Sequence, residues 1–171
     1  TTRAMSSLVA GVFACGSVDG TGWVPGWAAT GGREEIAAAL EQVGVGTQRV
    51  KRDHDSQADE LRPARHGSIL GRALSAAGAP VGGKTADNVD GLPQWIKDAP
   101  PSVRASFAEL LVLERGSKRP EKTTLQIQAD RSRQYFEDVR ELLEDVTGER
   151  VTASDAGVTI SADAVRALGL A

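Results

Sequence analysis

Leu8-Val9-Ala10-Gly11-Val12-Phe13-Ala14-Cys15-Gly16-Ser17 and Ala108-Glu109-Leu110-Leu111-Val112-Leu113-Glu114-Arg115-Gly116-Ser117 are two short apolar helical runs that both stop at Gly-Ser. Read as equivalent, they turn the chain into two copies of one unit. Outward from the first run, Thr1 to Cys15 reads as a helix, with Thr2 or Ser6 as cap and Gly16 as stop. Trp23 to Thr30 is an irregular strand, broken by Pro25 and Gly26. Glu34 to Val43 has helical spacing, with Ile36, Leu40 and Val43 on one face. Gln48–Arg52 and Glu60–His66 read as strands, and Ser68–Ala77 as a helix with Ile69, Leu70, Ala73 and Leu74 as its stripe.

The second run repeats this order. Pro101 to Arg115 is a helix, opened by Pro101-Ser102 and closed by Gly116. Thr124 to Gln128 alternates as a half-buried strand does. Gln134 to Val146 is amphipathic, with Phe136, Val139, Leu142, Leu143 and Val146 inward. Arg150–Ala153 and Gly157–Ile160 form a hairpin, and Ala164–Leu168 closes the copy. Each half thus reads helix, strand, helix, hairpin, helix, with a strand missing or weak after its first helix. The expected division is a repeat at 1–78, a linker at 79–98 and a second repeat at 99–171. The fold class is α/β (α+β): two pseudo-symmetric repeats, helices packed on curved antiparallel sheets, in a monomer.

Length and composition fit one domain with a proper core or two small fused repeats. Arginine outnumbers lysine, and alanine, glycine and valine are plentiful, which reads as a GC-rich genome and not as a function. The net charge of −3 gives no support to nucleic-acid binding by the chain as a whole, but a local basic face remains open. One cysteine leaves no internal disulfide and no cysteine-based zinc site. No apolar stretch is long enough to span a membrane, and Leu8–Cys15 lacks a processing site. A reducing, cytoplasmic location is therefore expected.

The second run follows Leu92-Pro93-Gln94-Trp95-Ile96-Lys97-Asp98-Ala99-Pro100, then Arg104 and Phe107. That layout resembles the LAGLIDADG homing-endonuclease family, in which a Leu/Ile-Pro-x-Trp-Ile stretch precedes each signature helix. The resemblance implies two signature helices at the centre, a saddle of sheets on DNA, and an acid at the foot of each helix that holds divalent metal. The expected acids are Cys15 and Arg115 here. A hard cation takes oxygen ligands; cysteine is a poor one and arginine repels it. Glu114 and Asp19 are the only improvised acids, with magnesium as cofactor if cutting is retained.

The expected function is therefore a homing-endonuclease-like protein that binds double-stranded DNA without efficient cutting. The alternatives are an active metal-dependent endonuclease with rearranged acids, and a structural or protein-interaction module that kept the fold. RNA and protein partners are open, since some family members assist splicing. Phosphate-binding cations are Arg49, Lys51, Arg52 and His54 around the first hairpin, then Arg62, Arg65 and His66. The second half offers Lys118, Arg119, Lys122, Arg131 and Arg133, with Gln126 and Gln128 on one face of a strand, where glutamine can read adenine edges.

Other motifs carry less. Gly78 to Thr85 matches the phosphate-loop pattern letter for letter, but it follows a helix and leads into turn residues. It reads as inter-repeat linker, with Lys84 touching phosphate. Asp53-His54-Asp55 reads as a polar turn and Cys15 as a small packed residue. Trp95 is expected under the second signature helix.

Overall fold

The structure is a computed structural model and describes residues 2–52, 58–118 and 121–170. It divides into two compact units, Thr1–Gly83 and Lys84–Ala171. The stretch expected as linker, 79–98, is shared between them. Among the described residues there are seven helices and two four-stranded antiparallel sheets, one sheet in each unit. No helix among them is long and apolar enough to cross a membrane.

The first unit opens with α1 (Thr2–Ala14), which runs into β1 (Gly16–Val18) and turns back as β2 (Pro25–Ala28). Then follow α2 (Arg33–Gln42), β3 (Thr47–Val50), β4 (Glu60–Pro63) and α3 (Gly67–Ala76). The sheet order is β1-β2-β4-β3. One side of it is closed by helices. Trp27 on that side is fully buried and donates its indole N–H to the Leu8 carbonyl at 3.3 Å, tying β2 to α1. Gly16 starts β1 because a Cβ there would overlap the Trp27 ring and the Gly26 carbonyl. Leu8, Val12, Ile36, Leu40, Leu61 and Leu74 complete the core.

The second unit repeats the order after a single-turn helix, α4 (Gln94–Lys97). Its elements are α5 (Pro101–Arg115), β5 (Ser117–Lys118), β6 (Leu125–Gln128), α6 (Arg133–Thr147), β7 (Val151–Ser154), β8 (Gly157–Ile160) and α7 (Ala162–Ala167), with sheet order β5-β6-β8-β7. Pro101 opens α5 with its ring-fixed φ, where no amide donor is needed. The Ser132 and Ser161 side chains cap α6 and α7 by accepting from Tyr135 N–H and Ala164 N–H. Leu125, Ile127, Val151, Val158 and Ile160 face Phe107, Leu111, Val139 and Leu143 in the core.

The structure corrects several expectations. The strand missing after each first helix is present: β1 and β5 begin at the Gly-Ser that reads as a helix stop, and they pair with β2 and β6. The strand expected over Glu60–His66 ends at Pro63, and exposed His66, at φ 56°, instead stands at the N-terminal boundary of α3, where its backbone carbonyl accepts from Ile69 and Leu70 N–H. In α4 the fully buried residue is Ile96, whereas Trp95 is half-buried. Val146 is half-buried and Ile69 is exposed, so neither belongs to its helix's buried stripe.

Candidate nucleic-acid interface

The feet of α1 and α5 are the natural place to test metal chemistry. Cys15 is half-buried, and its carbonyl accepts the Ala28 N–H. Arg115 donates to the Gln128 carbonyl at 2.9 Å and so braces the end of β6. Asp19 spends both carboxylate oxygens on its own turn, accepting from Gly22 N–H at 2.5 Å and Thr21 N–H at 3.3 Å. Glu114 is half-buried in the last turn of α5. Among the described residues no three His, Cys, Asp or Glu side chains could hold a metal ion. This donor set does not fit a hard divalent cation, and no metal-assisted step follows from it.

Register decides which candidates reach the open side of each sheet, because directly opposed residues point the same way. In the first unit Arg62 pairs with Gln48 and stands on the open side. Arg49 pairs with Leu61 and shares the helix-covered side at the sheet edge, where it binds Asp59 at 2.7 Å. Glu60 is buried on the open side over Gly26, where a Cβ would overlap its carboxylate. It binds Arg62 at 2.7 Å and Arg52 at 3.3 Å. Three of the expected phosphate contacts are thus held in ion pairs within the unit, two of them sharing the single carboxylate of Glu60. Arg65 is exposed and donates to the Gly44 carbonyl at 3.1 Å, and Lys51 is exposed.

The second unit is different. Gln126 and Gln128 do share the open side, as their alternation predicts, opposite buried Leu125 and Ile127. Thr159 pairs with Gln126 and Thr152 with Thr159, and Ser117 pairs with Gln126 from the other flank. Ser154 completes this face at its corner. Gln126 donates to the Thr159 hydroxyl at 3.0 Å. The face is therefore entirely uncharged and rich in both donors and acceptors. Sequence reasoning missed Thr152, Ser154 and Thr159, although β7 and β8 carry the same alternation that singled out the two glutamines.

Arginines gather where β6 leads into α6. Arg131 lies over the Tyr135 ring, 5.9 Å from its centroid, and donates to the Asp130 carbonyl at 2.7 Å and to the Lys84 carbonyl. Burial, and after it the nearby Arg115 charge, lowers its basicity against the opposing effects of Tyr135 and Asp130. Burial also pushes the Tyr135 phenol up to about 12, even though Arg131 and Arg115 favour the phenolate. Arg133 is exposed and shared between Glu137 and Asp155, and these hydrogen bonds raise its pKa, Glu137 first.

Lys118 pairs with Leu125 and so leaves the open face for the helix-covered side. Lys122 lines the same groove there. Both thus stand off the open face on which the phosphate contacts are expected. Arg119 and the Asp53-His54-Asp55 turn lie outside the described residues. The phosphate-loop lookalike has neither a strand before it nor a helix opening at its lysine: Ala79–Gly83 follows α3, and Gly82 N–H donates to the Val18 carbonyl.

The chain matches no protein-family model, and no curated protein sequence matches it.

Proposed function

We propose that this chain is a degenerate LAGLIDADG-like protein that binds duplex DNA with the open faces of its sheets and does not cut it. The observation that carries the reading is the open face of β5–β8. Six outward side chains there are Ser, Gln or Thr. Arg115 and Arg131 lie at the end of that sheet. Uncharged amide and hydroxyl groups in rows suit the donor and acceptor pattern of base edges, while cations at the rim suit phosphate. The Cys15 and Arg115 feet support binding without cleavage, because neither supplies an oxygen ligand for metal.

The test is binding of full-length protein to random duplex DNA across a salt series without metal, followed by the Gln126→Glu, Gln128→Glu double variant. The expected result is affinity that falls steeply with salt, and a loss of about tenfold or more in the variant, whose carboxylates would face bases and phosphates. Absence of binding at low salt would overturn the reading. That outcome would favour a protein-contact module, which the internal ion pairing of Arg49, Arg52 and Arg62 also suits.

A further inference from the structure

We infer that the open face of β5–β8 selects A·T base pairs and reads them in the major groove, a selectivity that rests on the duplex-binding reading proposed for that face. Its outward side chains are Ser117, Gln126, Gln128, Thr152, Ser154 and Thr159. Guanine is best read by a bidentate arginine or lysine, and cytosine offers its amino group to aspartate or glutamate. Among the described residues none of those four types stands on this face. The two arginines at the end of the sheet donate to backbone carbonyls, Arg115 to Gln128 and Arg131 to Asp130 and Lys84.

What the face does carry suits the A·T pair. Adenine presents N7 as an acceptor and its 6-amino group as a donor, and one carboxamide meets both at once. Gln126 is held ready for this. It is half-buried and donates one amide proton to the Thr159 hydroxyl at 3.0 Å. An amide nitrogen carries two protons, so the second proton and the side-chain oxygen remain for a base. Gln128 is exposed two residues on, about 6.7 Å along the strand, which is roughly two base steps of a duplex. Thr152 and Thr159 add methyl groups, the partners that the thymine 5-methyl takes. Adjacent strands lie about 4.8 Å apart, so β6 and β8 together fit a major groove about 12 Å wide.

The first sheet shows that the fold does not impose this chemistry. Trp27 pairs with Leu61 as Ile127 pairs with Val158. Gly26, Ala28, Glu60 and Arg62 are therefore the counterparts of Gln126, Gln128, Gly157 and Thr159. In the first sheet the small residues make room for a buried carboxylate and its ion-paired arginine. In the second the small and large positions are exchanged. Gly157, where a Cβ would overlap the Ile127 carbonyl, takes the place of Glu60, and the two carboxamides stand where Gly26 and Ala28 leave space. The exchange removes every charge from the face and puts the adenine-reading group there twice.

The test compares binding of the full-length protein to alternating A·T, G·C and inosine·C duplexes of equal length, across a salt series without metal. Inosine lacks the guanine 2-amino group, so an inosine·C pair shows the major groove of G·C and the minor groove of A·T. At moderate salt the A·T duplex should bind about tenfold or more tighter than G·C, and inosine·C should behave as G·C does. An A·T duplex built with 7-deazaadenine, which lacks the N7 acceptor, should lose most of that advantage. A Gln126→Ala, Gln128→Ala variant should bind A·T no better than G·C while its salt-dependent binding persists. Equal, salt-dependent binding of all three duplexes by the unaltered protein would overturn the inference and leave duplex binding standing. Inosine·C binding as A·T does would also overturn it, since the bases would then be read from the minor groove. Absence of binding to any duplex at low salt would overturn both. The duplex comparison does not depend on the variant folding.

Discussion

Glu60 controls how much positive charge the first sheet can show. Its carboxylate lies over Gly26 and holds Arg52 and Arg62 on the open side. Glu60→Gln keeps the shape but removes the charge and leaves one accepting oxygen where the carboxylate has two. It should therefore tighten duplex binding, and the slope of affinity against salt should steepen by up to about 2 units as two arginines become free for phosphate. Fluorescence anisotropy across a salt series reads both. An unchanged slope would show that this face does not meet phosphate. Tyr135 offers a separate check at the other sheet, because it is the only tyrosine. Its phenolate absorbance should appear with a midpoint of about 12, where a free phenol titrates near about 10. The sign of the linkage follows directly. The folded pKa is raised, so the contribution to stability is intact below about pH 10 and is lost as pH rises towards 12, because the unfolded chain ionises first. A midpoint near about 10 would mean that the phenol is not buried.

Long elements were legible because their signals are local. Pro101 and Gly116 bracket α5, and the period of Phe136, Val139, Leu142 and Leu143 marks α6. Alternation in Leu125–Gln128 placed both glutamines on the correct side. β1 and β5 were not legible, since strands of three and two residues have no period. They exist because a partner strand offers its hydrogen bonds, as Ala28 N–H does to Cys15. For the same reason the sequence put Lys118 with the phosphate contacts: only pairing with Leu125 fixes its side. The pairing of Arg49, Arg52 and Arg62 with Asp59 and Glu60 was equally hidden, because it depends on register and side-chain reach. The Leu92–Pro100 lead-in gains its meaning from Asp138. This buried carboxylate on α6 accepts from Leu92 N–H at 2.8 Å, from the Lys97 ammonium at 2.6 Å and from the Gln134 amide at 2.9 Å. Asp138→Ala leaves those donors without their acceptor and should cost about 3 kcal/mol in denaturant unfolding. Trp95, the only tryptophan of its unit, should report the loosening of α4 by its fluorescence. A loss below about 1 kcal/mol would show that packing of Ile96 alone holds the lead-in.

The net charge of −3 does not describe the faces of this molecule. The first unit balances eight basic against eight acidic residues, so the excess belongs to the second, with twelve against fifteen. Much of that acid lies on α6, where Glu137, Glu141, Glu144 and Asp145 stand away from the buried Val139, Leu142 and Leu143. The helix layer therefore carries the anions, and the open side of the same sheet carries none. At physiological salt charges are screened over about 8 Å, roughly the thickness of one layer of side chains and backbone. A DNA-binding sheet should thus be nearly indifferent to α6 and acutely sensitive to its own face. Glu141→Lys changes the net charge by the same size as Gln126→Glu, Gln128→Glu together, in the opposite direction. Yet at moderate salt it should move duplex affinity less than about twofold, while the glutamine pair loses about tenfold or more. Lowering the salt should enlarge the Glu141→Lys effect, because screening weakens. Equal and opposite effects at moderate salt would mean that binding follows bulk charge and not the sheet, and the face of Ser, Thr and Gln would then have to be read as a surface for protein.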